Sequence, residues 1–103
     1  MIQSEREIDL ICMGRVAVDF YADQIHSPLE HAQSFSRYLG GCAGNISVGT
    51  SRLGLKSAMF SCVGTDDMGV FLRNQLQFEG VGTSLLRSTP DPLTGLVVLG
   101  VSP

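Results

Sequence analysis

The chain has 103 residues, of which 44% are hydrophobic and 17% charged, so it forms one small globular domain at most and is too apolar to be disordered. Its formal net charge of -3, with seven Lys and Arg in all, lacks the basic excess of proteins that bind nucleic acid or anionic membrane surfaces. The first apolar run, 10–13, is too short for a signal peptide, and three widely spaced cysteines predict reduced thiols, so we expect a cytoplasmic protein with no membrane partner.

The first 40 residues predict three strands and a loop. An apolar run over 8–14 that ends at glycine is typical of a buried parallel strand. Alternation over 16–22 predicts a second strand with one polar face, and 34–39 predicts a short third strand. The segment 26–33 around Pro28 is a predicted loop. Its two histidines, His26 and His31, have no ligand partner at regular spacing, so the sequence predicts no metal site.

The middle of the chain predicts two helices that flank a strand. The first helix spans about 44–53, an apolar strand follows over 58–63, and the second helix spans 67–79. Asp66 is a predicted N-cap, and Gly80 sits where a left-handed C-cap belongs. One face of the first helix carries Ile46, Thr50 and Leu53. Three small residues of this region are suited to close approach to a sheet, namely Ala43, Ser47 and Gly49.

The last part of the chain predicts an extended segment over 83–86, a turn over 88–93 and an apolar strand over 96–101. Cys12 and Cys62 lie in strand-like runs, where cysteine behaves as a small buried hydrophobe. The order of strand, excursion, helix, strand, helix and strand predicts a doubly wound α/β domain. Because so small a parallel sheet buries little apolar surface, we expect the chain to be a fragment of a larger domain.

A glycine pair at the start of the first helix is the leading candidate for a binding site. Gly40 and Gly41 allow the backbone to come close to a small polar ligand, and Asn45 can donate and accept hydrogen bonds, which suits a polyhydroxylated molecule. The alternative is a tight turn whose glycines serve packing alone. Cys42 offers a reactive thiol at the helix N-terminus, or an ordinary one.

Two charged side chains lie near the carboxyl end of the first strand, where α/β folds bind ligands. Asp19 accepts hydrogen bonds from two sugar hydroxyls in one interpretation and is an exposed strand carboxylate in the other. Arg15 either holds a carboxylate in a bidentate manner or is solvated. The acidic segment 65–69 has the composition of a metal loop, but helix capping explains it better. Neither Gly-x-Gly-x-x-Gly nor a phosphate-binding P-loop motif occurs, and the chain shows no complete set of catalytic residues.

Five motifs agree in order and spacing over about 9–101. They are Gly14-x-x-x-x-Asp19, Gly40-Gly41-x-x-x-Asn45, Gly54 after a helix, Val63-Gly64-x-Asp66-x-x-Gly69 and Gly80-Val81. Together they resemble the amino-terminal part of the ribokinase-like (PfkB) carbohydrate kinase family. The resemblance implies an α/β fold, a ribokinase-like doubly wound core present in part, with an inserted β-sheet lid. In that scheme 1–103 is an amino-terminal fragment, with core elements at about 8–14 and 44–80 and lid strands at about 15–39 and 94–101.

The resemblance also implies the chemistry. Asp19, Gly41 and Asn45 match positions that bind sugar hydroxyls, and Gly40 belongs to the same motif. The family's aspartate base, its anion hole and its site for ATP with Mg²⁺ lie downstream of this segment, so we expect the chain alone to be inactive. A homodimer through the lid strands is a further expectation.

Within the family, segments 14–21 and 39–46 most resemble kinases that phosphorylate a deoxy-keto-sugar acid in inositol catabolism. Ala17 and Cys42 replace an asparagine and a lysine of ribokinase, which argues against ribose. Because a sugar acid carries a carboxylate, Arg15 becomes a candidate specificity residue. The alternatives are another ribokinase-like kinase, acting on fructose, a nucleoside or a different sugar acid, and a non-catalytic carbohydrate-binding or interaction module.

Overall fold

The computed structural model describes residues 7–101, which form six strands, two α-helices and one short 3-10 turn. Neither helix in this range is long and apolar enough to cross a membrane. In chain order the elements are β1 (Leu10–Met13), β2 (Ala17–Ile25), the 3-10 turn (Leu29–His31), β3 (Phe35–Gly40), α1 (Cys42–Arg52), β4 (Ser57–Gly64), α2 (Asp67–Phe78), β5 (Leu86–Thr89) and β6 (Leu96–Val101).

Three parallel strands, in the order β1-β4-β5, form the core sheet. Cys12 lies opposite Met59 in this sheet, and both side chains are buried. Because side chains alternate along a strand, the other face of the sheet carries Ile11, Met13 and Phe60, each about half exposed or more. The buried cluster consists of Cys12, Val16, Val18, Ala43, Met59, Val63, Leu72, Leu76, Val81 and Leu86.

Helix α1 packs through its small residues rather than its large ones. Ala43 and Ser47 are buried as predicted, whereas Gly49, predicted with them, is exposed and does not approach the sheet. The Ser47 hydroxyl donates to a carbonyl of its own helix, so its burial leaves no unpaired group. The predicted apolar face is wrong for Ile46 and Leu53, which are 54% and 85% exposed. Small side chains on the inner face let the helix come close to the sheet, and the helical period places Ile46 and Leu53 on the side opposite to this face.

Helix α2 has the predicted ends. The Asp66 carboxylate accepts a hydrogen bond from the Gly69 N–H at 2.8 Å, which confirms the N-cap. Gly80 has φ of +80°, and the Val81 N–H donates to the Leu76 carbonyl at 2.9 Å, as expected after a left-handed glycine. Leu72 and Leu76 are fully buried.

Two predictions in the last strands of the core are corrected. The extended segment lies at Leu86–Thr89 rather than 83–86, because β5 pairs with β4 in the register that sets Leu86 opposite Ser61. The predicted turn over 88–93 is therefore shorter. Cys62 is exposed rather than buried, because it lies one residue before the buried Val63 and points to the opposite face of β4.

The second sheet, called the lid sheet below, has the order β3-β2-β6. β2 and β3 are antiparallel, with Asp19 opposite Tyr38, and β2 and β6 are parallel, with Asp19 opposite Val97. Residues paired in this way project from the same face of a sheet. One face of the lid sheet therefore carries Asp19 together with Tyr38 and Val97.

The start of α2 is tied to the segment that leads into the lid sheet. The second carboxylate oxygen of Asp66 accepts from the Thr94 N–H at 2.9 Å, while the Thr94 hydroxyl accepts from the Gly64 N–H at 2.9 Å. We call Gly64, Asp66, Gly69 and Thr94 the Asp66 junction. It joins the end of β4, the start of α2 and the approach to β6.

Acid is expected to destabilise the protein through this junction. The N–H groups of Thr94 and Gly69 donate to the Asp66 carboxylate and hold its pKa below the usual Asp value of 3.8. Because the folded protein holds this carboxyl at a lower pKa than the unfolded chain does, its ionisation stabilises the fold at pH values above the unfolded-state pKa. That stabilisation is lost as the pH falls through the folded-state pKa. Below about pH 4, the free energy of unfolding of the full-length protein should fall less steeply in Asp66→Asn than in the wild type, as measured by urea denaturation. Parallel slopes in the two proteins would contradict this.

Candidate functional site

The candidate site lies at the carboxyl end of β1, where the chain crosses from the core sheet into the lid sheet. Gly14 has φ of +147°, and its carbonyl accepts from the Ser61 hydroxyl at 2.6 Å. The Arg15 carbonyl accepts from the Gly44 N–H, in the first turn of α1, at 3.3 Å. These hydrogen bonds hold residues 14–16, called the crossing segment below, between β4 and the N-terminus of α1.

An open pocket of about 440 Å³ lies beside this crossing. It is lined by Asp19, Tyr21, Tyr38, Leu39 and Asn45. The structure therefore brings Asp19 of β2 and Asn45 of α1, which are 26 positions apart, to a shared cavity. A carboxylate that accepts and an amide that both donates and accepts are suited to hydroxyl groups.

Gly40 makes room for the Asp19 side chain. A Cβ built at Gly40 would overlap the Asp19 carboxylate, so only glycine lets that carboxylate lie over the backbone of β3. The register of β2 and β3, with Ala17 opposite Gly40, produces this arrangement. The first glycine of the pair thus positions a side chain of the pocket.

Gly41 is required by the backbone around it. Its φ is +91°, and a Cβ there would lie 2.5 Å from the Arg15 carbonyl oxygen and 3.1 Å from the Val16 Cα. The close approach at the glycine pair is therefore between two segments of this chain. Direct contact of Gly40 or Gly41 with a ligand stays a prediction.

An aromatic pair on the pocket wall was missed by the sequence reasoning. Tyr21 and Tyr38 meet edge to face, with ring centroids 5.5 Å apart, and remain 40% and 55% exposed. Tyr21 could have been predicted from the sequence to lie beside Asp19, because residues two apart in a strand share a face. The distant Tyr38 needed the register of β3.

Arg15 lies on the crossing segment and does not line the pocket. Its side chain is exposed and extends over Gly95, where a Cβ would lie 3.4 Å from a guanidinium nitrogen. A Cβ at Gly95 would also lie 3.6 Å from the Ala17 Cβ. The guanidinium is thus at the base of the lid sheet, on the face that carries Ala17 and Asp19.

Two further features singled out in the sequence are Cys42 and the acidic segment 65–69. Cys42 is the first residue of α1 and is exposed, and both interpretations, a reactive thiol and an ordinary one, stay predictions. In the acidic segment, Asp66 caps α2, as the helix interpretation required. Over residues 7–101 no three His, Cys, Asp or Glu side chains come together in a group able to hold a metal ion.

Comparison with known proteins gives one family. Residues 7–102 match the model of the pfkB family carbohydrate kinase. A 5-dehydro-2-deoxygluconokinase from Clostridium tetani is 44% identical over 80 residues, which cover 78% of this chain and 24% of that relative. The chain thus spans about a quarter of the length of this curated relative.

Solved structures agree with the family match. The PfkB protein from Polaromonas is similar with a TM-score of 0.88 and 34% identity, covering 92% of this chain and 32% of that one. A sugar kinase from Pyrococcus horikoshii in complex with ATP has a TM-score of 0.84 and 31% identity, covering 88% of this chain and 30% of that one. These likenesses confirm the predicted fold class, a partial doubly wound α/β core with an added sheet.

Proposed function

The chain belongs to the pfkB family of carbohydrate kinases, and on this premise we propose that it is the substrate-binding amino-terminal part of a kinase that phosphorylates a primary hydroxyl of a sugar acid. The acid we propose is 5-dehydro-2-deoxygluconate, an intermediate of inositol breakdown. The observation that carries the proposal is the pocket shared by Asp19 and Asn45. The name of the Clostridium tetani relative supports the choice of acid.

The pocket suits a polyhydroxylated chain or ring. The Asp19 carboxylate accepts hydrogen bonds from two neighbouring hydroxyls, and the Asn45 amide donates to one oxygen while accepting from another. The rings of Tyr21 and Tyr38 offer an apolar wall to the C–H groups of the sugar. In this proposal the lid sheet covers the substrate and excludes water from it.

In this proposal ATP and Mg²⁺ are bound mainly by the part of the kinase outside this segment. When bound, ATP supplies the phosphoryl group and Mg²⁺ neutralises its charge. The contribution of this chain is to bind and orient the sugar, and we propose that the chain alone does not transfer phosphate.

The proposed substrate is tested with the full-length protein. Phosphorylation of 5-dehydro-2-deoxygluconate, fructose, ribose and a nucleoside is measured with ATP under the same conditions, and kcat/KM is compared. We expect the sugar acid to be preferred. A preference for fructose or a nucleoside would assign the protein to another branch of the family, and the absence of any phosphoryl transfer would favour a carbohydrate-binding module.

Arg15 is proposed to recognise the carboxylate of the acid. Arg15→Ala should raise KM for the sugar acid by about tenfold, because a charge-assisted hydrogen bond is lost, and should leave KM for ATP unchanged. Lys56→Ala serves as control, since it removes a positive charge just before β4, at the opposite end of the core sheet. Steady-state kinetics measure both variants. Equal KM values for the acid in Arg15→Ala and in the wild type would refute this role.

We further propose that the parent protein works in the cytoplasm as a homodimer joined through lid strands. The three cysteines are free, as expected of a reducing compartment. Strand β6 forms an edge of the lid sheet in the described part of the chain, and its Leu96 and Val98 are each about half exposed. Light scattering of the full-length protein distinguishes a dimer from a monomer.

A further inference from the structure

The Asp66 carboxylate makes two kinds of contact, only one of which is helix capping. One oxygen accepts from the Gly69 N–H at 2.8 Å and completes the N-cap of α2. The other accepts from the Thr94 N–H at 2.9 Å, across 28 positions of sequence. A cap needs the first bond alone, so the second bond requires a separate explanation.

The surroundings of this carboxylate leave little freedom. The Thr94 side chain is buried, and its hydroxyl accepts from the Gly64 N–H at the end of β4. A Cβ at Gly69 would overlap the Gly64 carbonyl oxygen and lie 2.9 Å from the Thr94 hydroxyl, while a Cβ at Gly64 would overlap the Asp66 carboxylate. The two glycines therefore allow the four residues of the Asp66 junction to close on one another.

From the junction a short path leads to the candidate pocket. Thr94 is followed by Gly95, whose carbonyl accepts from the Val18 N–H of β2 at 3.0 Å. Two residues later Val97 of β6 lies opposite Asp19 in the parallel register. Thr94 is thus three residues before the position of β6 that lies opposite Asp19.

We infer that Asp66 is a positioning residue, which holds the lid strand β6 at a set place relative to the core sheet and thereby orients the lid sheet over the pocket. This inference rests on the proposed function for its effect on the sugar substrate. It gives the acidic residue a role in substrate binding although it does not line the pocket of Asp19. Its effect passes through β6 and β2.

The test compares two variants of the full-length protein. Asp66→Asn retains one oxygen for the Gly69 N–H, and Asn is a good N-cap, but its amide nitrogen cannot accept from Thr94. Asp67→Asn is the matched control, because it removes the same charge from the next residue, in the first turn of α2. We expect Asp66→Asn to raise KM for the sugar by about tenfold, with KM for ATP and kcat little changed. The control should resemble the wild type.

Hydrogen exchange supplies a readout that does not need activity. Amides of 96–99 should exchange faster in Asp66→Asn, while amides of 58–63 in β4 keep the protection of the wild type. Unchanged exchange at 96–99, or an unchanged KM for the sugar in an active enzyme, would overturn the inference. A wild type without sugar kinase activity would defeat the proposed function alone. Should Asp66→Asn fail to fold, Asp66→Ser, which keeps a capping oxygen, takes its place.

Discussion

Replacement of Asp19 by Asn in the full-length enzyme is expected to lower kcat/KM for the sugar acid by about a hundredfold or more. The carboxylate of Asp19 lines the pocket with acceptor oxygens only, whereas the amide of Asn presents a donor in place of one of them. A sugar hydroxyl that donates to Asp19 would then meet a second donor. KM for ATP should stay within about twofold of the wild type, because the proposed role of Asp19 concerns the sugar alone.

Asp23→Asn is the matched control for this experiment. Asp23 lies four residues further along the same strand and on the same face, where it accepts from the Ser36 hydroxyl at 2.6 Å and does not line the pocket. Kinetics of the two variants should differ widely. Wild-type kcat/KM in Asp19→Asn, or an equal loss in both variants, would contradict the assignment of Asp19 to sugar binding.

Gly40→Ala is expected to reduce kcat/KM to a similar extent without unfolding the protein. The added Cβ would overlap the Asp19 carboxylate, so this side chain must leave its place over β3. The backbone of Gly40 does not have a positive φ, and alanine can therefore adopt it. We expect a stability loss of about 1–3 kcal/mol from overpacking, which is close in free energy to a hundredfold loss of kcat/KM, about 2.7 kcal/mol.

Gly49→Ala provides the contrast. Gly49 lies in α1, and a Cβ there would meet nothing within 4 Å, so the substitution should stabilise the helix by roughly 0.5–1 kcal/mol and leave the kinetics unchanged. Urea denaturation and steady-state kinetics give the two quantities for each variant. If Gly40→Ala retains wild-type kcat/KM, then Gly40 does not control the position of Asp19 during catalysis.

Several features were predictable because they depend on neighbours in sequence. The N-cap at Asp66 and the left-handed glycine at Gly80 both follow from local backbone chemistry, and both occur as predicted. The glycine and polar motifs led to the family, which the match over 7–102 confirms. Asp19 and Asn45 were chosen as sugar ligands on the same motifs, and the structure brings them to one pocket.

Other features could not be derived from local patterns. The larger side chains of α1 predicted an apolar face, yet the buried residues of this helix include the small Ala43 and Ser47 instead. Strand β5 begins at Leu86 because of its pairing with β4, and no pattern within residues 83–89 indicates that register. Tyr38 joined Tyr21 only through the register of β2 and β3.

By itself the sequence determined the family, the order of the helices and strands and the capping residues of α2, and it predicted the two polar residues that the structure brings to one pocket. The tertiary structure alone decided that Gly40 accommodates the Asp19 carboxylate, that Gly41 accommodates the Arg15 carbonyl, and that the second oxygen of Asp66 holds Thr94. The physical reason is the separation along the sequence over which each kind of interaction acts. Capping and periodicity act over a few residues, whereas these contacts join segments 21 to 28 positions apart, and strand register sets their distances.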